Sequence, residues 1–506
     1  MTLRNVFANI AGRIWGFLAL YAFVPFYLQF LGVEGYAVVG FYTTLVAVIA
    51  FADMGFTATL NREVARLQAL RDDKKETNDL LRSYELIYFF ISTLIVGLIW
   101  LTAPLIARDW LTASHLSNEA IVTSLRFFGL AIALQLPAGL YIGGLMGLQL
   151  QVRANIIQAA WGIFRGGGGV LVLWLITPSI EAFAVWQVIS NFLYFLVVRK
   201  YMWKSIRHPE EKRKPRFNLN VVRKTWRYSA GMMGLAMLTM LMTQSGTVAV
   251  SMMLPLEKLG YYSLATTLAM LPILTASPVV LAIFPQFTEL VALGDREKLR
   301  KLYFSTLGFV SVMSVCLPIF IAIFARDVLL FWTGLDQIED EVINLTRLLI
   351  GGQILQAATI VPYYILLANG NVSLNLKLGC ASVFLLLPML FYFIREFGLQ
   401  GSGIAWLAMN ILIIGPYMYY LHRQYMKSGF VAWAKFSLII PITVSLFFGF
   451  LSAGYISISD NSGLQILVPL LALLSSMAVT IALNKSVRDI CVMYGNRLWR
   501  IYGQRT

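Results

Sequence analysis

The sequence is poor in the groups that catalysis and metal binding draw on. Its three cysteines, Cys316, Cys380 and Cys491, are scattered, with no spacing that suits a metal site or a disulfide framework. The three histidines, His115, His208 and His422, share no ligand spacing either. There is no glycine loop of the phosphate-cradling kind and no pair of carboxylates inside an apolar run. Only 13% of the 506 residues are charged, and acids are the scarcer sign, 25 Asp and Glu against 40 Lys and Arg. No catalytic constellation, metal or cofactor is expected from this inventory.

What fills the chain instead is apolar sequence, with a mean hydropathy of +0.73. About 20 helical residues cross the roughly 30 Å hydrocarbon core of a bilayer. Fourteen segments are expected to do so, near 6–31, 37–60, 82–106, 121–147, 155–176, 181–198, 228–254, 263–291, 302–325, 342–368, 378–394, 402–421, 436–456 and 464–484. Runs of this length imply helices, because a lone strand cannot satisfy its backbone in lipid. The expected fold is therefore an all-α polytopic membrane protein. The first apolar run is too long for a cleavable signal and is expected to stay as the first span.

A formal charge of +15 invites a nucleic-acid reading, but its distribution argues against one. With a cytoplasmic N-terminus, all but eight of the 40 Lys and Arg fall on the cytoplasmic side. Arg108, Arg126, Lys258, Arg326, Arg347 and Arg395 border the opposite connections, and Arg13 and Arg165 lie within spans. This is the positive-inside pattern, with both termini cytoplasmic and no nucleic-acid partner. The connections on the far side are too short for a soluble domain.

The longest polar stretch, Arg199 to Arg227, contains RHPEEKRKPR and reads as a solvated linker that can also rest on anionic head groups. It divides the chain into an N-terminal lobe of six spans at 1–203, a basic linker at 204–226, a second six-span lobe at 227–423, and an appendix at 424–506. The appendix holds two more spans and a tail that is either an interfacial amphipathic helix or disordered. The lobes resemble each other: an offset of 223 residues sets Glu34 on Glu257 and Thr43-Thr44-Leu45 on Thr266-Thr267-Leu268. An offset of 221 pairs Arg126 with Arg347 and Gln135 with Gln356. Such a parallel repeat places a binding site between lobes near mid-membrane.

Charges within spans are costly and mark function or pairing. From the helical rise, Arg13 lies roughly 10 Å deep, Asp53 roughly 13 Å and Arg165 roughly 18 Å. Asn9 shares a helix face with Arg13, Thr57 with Asp53, and Gln158 with Arg165, while Gln187 and Asn191 add a polar stripe to the sixth span. Arg13 and Asp53 suit either a mutual ion pair or a functional pair. Arg165 has no acidic partner in the spans, and an unpaired buried cation favours contact with an anionic ligand. Gly166, Gly167, Gly168 and Gly169 follow it, as a bending point or as a close-packing surface. The second lobe offers only neutral Gln244, Gln353, Gln356 and Asn410 at comparable depth.

LGVEGYAVVGFYTTL at 31–45 and FADMGFTATLNREVA at 51–65, echoed by LEKLGYYSLATTL at 256–268, carry a family resemblance. The chain resembles the polysaccharide-transporter (Wzx-like) family of lipid-linked oligosaccharide flippases, within the multidrug/oligosaccharidyl-lipid/polysaccharide exporter superfamily. Ala37 departs from the glycine that usually follows the motif's tyrosine. The resemblance implies two six-helix lobes around a cationic cavity in the bacterial cytoplasmic membrane. It implies a substrate of undecaprenyl-diphosphate-linked repeat units of O-antigen, capsule or exopolysaccharide, turned to the periplasmic leaflet by alternating access. Asp53 and Arg62 sit on the matched motif, and H+ or Na+ is the implied coupling ion. Membrane lipids, and the polymerase and export machinery of polysaccharide biosynthesis, are the implied partners. Two rivals are weighed against this. A cation-coupled multidrug exporter would want acids rather than arginines in its spans. A polymerase or ligase would want a large external loop or a charged cluster.

Overall fold

The computed structural model describes residues 21–69, 74–206, 215–426, 429–456, 462–484 and 488. Every regular element among them is helical, and ten helices are long and apolar enough to cross a bilayer. The helices expose apolar stripes: on the helix Lys74–Leu105, Phe90, Leu94, Leu98, Leu101 and Leu105 face outward, Leu101 at 79% exposure. A patch of that kind is untenable in water and natural in lipid. The protein is a multi-pass membrane protein. Arg13, Asn9 and the expected tail helix lie outside the described residues.

The chain forms two compact units, Met1–Ser263 and Leu264–Thr506. The first contains α1 (Val24–Ile49), α2 (Phe56–Ala69), α3 (Lys74–Leu105), α4 (Asn118–Gly147), α5 (Gln151–Leu175), α6 (Ile180–Ile206) and α7 (Leu219–Met253). It ends within α8 (Leu256–Ala269). α1 runs without a connecting loop from the expected first span into the second. Gly32, at φ +68°, bends it there, a conformation that glycine adopts without steric penalty.

The most enclosed helix of this unit is α4, whose small residues let neighbours approach. A Cβ on Gly143 would meet the Thr57 carbonyl, and one on Gly147 the Asn61 carbonyl. α2 therefore lies directly against α4, as small-residue contacts favour in membranes. Tyr84, Tyr88 and Tyr141 are fully buried beside Leu60, Leu145 and Met202 in the same core. Ser117 caps α4 by accepting from Ala120 N at 3.1 Å. The far end of the basic linker is tied to α3: Arg216 N donates to Asp79 at 2.9 Å and Asn218 N to Ser83 at 2.8 Å.

The second unit contains α9 (Leu271–Ala292), α10 (Arg296–Ser311), α11 (Leu317–Ile323), α12 (Ala325–Thr333), α13 (Asp340–Ala358), α14 (Ile360–Ala368), α15 (Val372–Tyr425), α16 (Phe430–Ala434), α17 (Ile440–Ile456) and α18 (Ser462–Leu483). The expected eleventh and twelfth spans are the two arms of α15, turned at Gly398 (φ +58°). Glu341 fixes that turn by accepting from Leu399 N at 2.9 Å. His422, expected in a connection, is fully buried. Its ring takes Tyr303 on one nitrogen at 2.9 Å and the Met418 carbonyl on the other at 2.7 Å.

Candidate functional site

Three groups of polar residues stand out in the first unit. The first centres on Arg165 of α5. Its guanidinium lies 4.5 Å from the centroid of Trp161, whose ring is stacked on Tyr194 of α6 at 4.4 Å. Arg165 is thus held by an aromatic column, and no carboxylate among the described residues pairs with it. Stacking engages the face of a guanidinium and leaves its edge N–H donors for another acceptor.

The residues around Arg165 come from three helices. Its charge reaches the hydroxyls of Tyr27 and Tyr42 on α1 and of Tyr194 on α6, and Gln158 lies beside that last hydroxyl. Tyr42 is next to Asn191 and Arg165 without meeting hydrogen-bond geometry to either. The Gln187 Oε1, Asn191 Oδ1 and Trp161 Nε1 atoms are likewise buried without a hydrogen-bond partner among the described residues. Asn191 and Gln158 thus share tyrosine hydroxyls with Arg165, and Gln187 lies one turn from Asn191 on α6. Buried polar atoms are usually paired, so a cluster of unpaired ones requires a reason.

Around the glycine run, α5 is an unbroken helix from Gln151 to Leu175. A Cβ on Gly166 would lie 2.4 Å from the Phe23 ring, and one on Gly168 2.1 Å from Trp186. Gly169 sits against Phe183 and the Tyr27 hydroxyl, while Gly167 has only distant contact with Phe23. Tyr27 donates to the Gly166 carbonyl at 3.0 Å and Trp186 to the Arg165 carbonyl at 3.0 Å. The run admits aromatic side chains to the helix backbone and shows no bend in this state.

The second group surrounds Asp53. A continuous span was expected here, but the helix breaks. A 3-10 turn covers Ala50–Asp53, Met54 is left-handed at φ +48°, Gly55 follows at φ +73°, and α2 begins at Phe56. The depth of Asp53 therefore cannot be counted as nine helical rises from Arg62. Its carboxylate accepts from the Thr57 hydroxyl, from Thr57 N at 3.4 Å and from the Tyr88 hydroxyl. This places Asp53 at the start of α2, where the exposed helical N–H groups favour a carboxylate. No Lys or Arg among the described residues pairs with it. Arg62 is exposed further along α2.

The third group was not anticipated. Glu85 on α3 is fully buried and accepts from Arg82 at 2.5 Å, from Arg199 at 2.6 Å and from Tyr141 at 2.5 Å. Trp203 Nε1 approaches it at 3.4 Å. The clue was a lone acid, three residues after an arginine, at the mouth of an apolar run. Glu34 is also structural in a way that sequence spacing does not reveal. Its carboxylate takes three backbone N–H groups across the chain, Ser114 at 2.7 Å, His115 at 2.8 Å and Leu116 at 2.9 Å.

Among the described residues, the helices of the second unit hold no buried Lys, Arg, Asp or Glu comparable to Glu85. Gln353 Oε1 and Trp406 Nε1 are buried without a partner among the described residues, and the Trp406 ring covers the Gly352 backbone. Asn410 donates to the Trp406 carbonyl at 2.8 Å.

Residues 2–291 match the model of a family described as polysaccharide biosynthesis protein. Among solved structures, the lipid II flippase MurJ in an inward closed conformation superimposes with a TM-score of 0.73 at 14% identity, covering 97% of this chain and 100% of that one. An inward-facing multidrug resistance MATE family transporter of the MOP superfamily gives 0.67 at 15% identity, covering 86% and 96%. A MOP superfamily transporter from Pyrococcus furiosus gives 0.56 at 13%, covering 84% and 96%. These similarities establish a shared fold. No curated protein sequence matches the chain.

Proposed function

The chain belongs to the polysaccharide biosynthesis protein family, and from that premise we propose that it is a flippase for lipid-linked oligosaccharides. In this reading it turns undecaprenyl-diphosphate-linked repeat units from the cytoplasmic to the periplasmic leaflet of the bacterial inner membrane. The observation that carries it is Arg165, a guanidinium within an expected span, lying over the Trp161 ring and left without a carboxylate partner among the described residues. A diphosphate offers acceptors that such a donor edge can hold with two parallel hydrogen bonds. The lipid tail stays in the bilayer while the polar head group passes along the protein.

The full reading has fourteen spans in two pseudo-symmetric six-helix lobes with cytoplasmic termini, and alternating access by rocking of the lobes. Asn9 and Arg13 join Arg165 as substrate contacts, and Arg62 meets the head group at the cytoplasmic entrance. Asp53 couples transport to H+ or Na+: protonation or cation binding at its carboxylate weakens its hold on Thr57 and Tyr88 and loosens the start of α2. The flipped product passes to a polymerase and export apparatus.

The likeness to MATE transporters makes a cation-coupled drug exporter the second reading. An uncompensated arginine opposes it, since the same charge that attracts diphosphate repels an organic cation. Deletion of the gene tests the choice. Flippase function predicts accumulation of complete lipid-linked repeat units in the cytoplasmic leaflet. Unchanged polysaccharide with increased sensitivity to cationic drugs would instead establish the exporter.

A further inference from the structure

We infer that Gln187 and Asn191 form a carbohydrate subsite beside Arg165, accepting hydrogen bonds from hydroxyls of the sugar attached directly to the diphosphate. The inference rests on the flippase reading and adds a division of labour to it. Asn191 is fully buried and Gln187 is 3% exposed, one helical turn apart on α6. The Asn191 amide is oriented by its own bond: Nδ2 donates to the Gln187 carbonyl at 2.8 Å, which leaves Oδ1 as the open end. Oδ1 and the Gln187 Oε1 have no donor among the described residues, and the Tyr42 hydroxyl, 2% exposed and beside Asn191 and Arg165, meets hydrogen-bond geometry with none of them.

The chemistry of these open groups separates them from the arginine. Arg165 is purely a donor, and a diphosphate at neutral pH mainly accepts. Amide oxygens therefore cannot serve the phosphates. They need donors, and a donor-rich polyol linked to the diphosphate brings donors to that position. The Tyr42 hydroxyl and Trp161 Nε1 can answer the sugar's remaining oxygens. An organic cation would also satisfy amide oxygens, but the Arg165 charge disfavours it there. Since both side chains are buried, a sugar reaches them only when packing of α6 against α1 and α5 opens. The unpaired oxygens weaken that packing and favour its opening, because desolvated acceptors without donors are penalised.

The full-length protein in lipid nanodiscs tests this with two probes, undecaprenyl diphosphate and undecaprenyl diphosphate carrying one hexose. Wild-type protein is expected to bind the glycosylated probe at least ~10-fold more tightly, about the yield of one or two well-placed neutral hydrogen bonds. Equal affinities would overturn the subsite. Asn191→Leu and, separately, Gln187→Leu should lower affinity for the glycosylated probe toward that of the bare one, with bare-probe affinity unchanged. Each should also keep or raise the melting temperature, because an apolar side chain suits the site in the unliganded state. Equal weakening of both probes would show that the amides serve the phosphates and would overturn the inference. Arg165→Ala should weaken both probes. If it weakens neither, the diphosphate reading fails, and that outcome is distinct from failure of the sugar subsite.

Discussion

Replacing Glu34 by Gln tests whether one carboxylate holds the 112–116 connection in place. Glu34 is 6% exposed and accepts three backbone N–H groups at 2.7–2.9 Å, one on Oε1 and two on Oε2. Hydrogen bonds to a charged group contribute about 1.5–3 kcal/mol each, so three set an upper bound of roughly 5–9 kcal/mol. Gln keeps one oxygen and turns an NH2 donor toward N–H groups that are themselves donors. It must lose the Ser114 bond or the His115 and Leu116 pair, and the remainder lose their charge assistance. The loop amides are only partly buried and regain water when released. The net expectation is therefore about 2–4 kcal/mol. The same segment is tied to the start of α8 by Leu256 N donating to the Thr112 carbonyl at 2.9 Å, so its release spreads beyond the loop. Hydrogen exchange of the amides at 114–116 is the direct assay, with thermal unfolding in detergent alongside. Exchange should accelerate by about 30- to 800-fold, the same free energy expressed as a ratio. Unchanged protection at these three amides would refute the clamp.

Other substitutions separate packing from mechanism. Gly168→Ala places a methyl 2.1 Å from Trp186 and should destabilise by about 1–3 kcal/mol, read as a lower melting temperature. Gly167→Ala meets nothing closer than 3.8 Å and should be neutral or slightly stabilising with full transport, whereas loss of transport without loss of stability would revive a bending role. Glu85→Gln leaves Arg82 and Arg199 without their shared carboxylate and should cost about 3 kcal/mol, below the fully buried limit because both arginines are partly exposed. Its check is protein level and unfolding temperature, and Tyr141→Phe should show a smaller effect of the same sign. Asp53→Asn removes the carboxylate proposed to couple transport and should leave substrate binding intact while abolishing the response of transport to an imposed H+ or Na+ gradient; a retained response would move coupling elsewhere.

Much of the fold was legible because it follows from solvent physics. Long apolar runs had to become helices, and the Arg165–Gln158 and Gln187–Asn191 spacings placed those residues on shared faces that the structure brings together. What stayed hidden depended on non-local geometry. The break after Asp53 requires a left-handed methionine, which no propensity rule favours, and Gly55 alone did not reveal it. Glu85 drew no role from the sequence, because its partners Tyr141 and Arg199 come from helices far along the chain. Glu34 was visible as a motif residue, but its role lies in backbone groups about 80 residues away. His422 likewise depends on Tyr303 from another helix. The glycine run left two readings open because glycine serves bending and close packing equally well until the neighbouring rings are known.

The most direct test reconstitutes the protein in liposomes and follows movement of an undecaprenyl-diphosphate-linked oligosaccharide between leaflets, comparing wild type with Arg165→Ala and Arg165→Lys. The account predicts rapid movement by wild type and a loss of about 10- to 150-fold for Ala, the equivalent of one charged hydrogen-bonding contact. Lysine, which cannot make the paired contact, should recover only part of that loss. Equal rates for all three proteins, or faster movement of an organic cation than of the glycolipid, would contradict it.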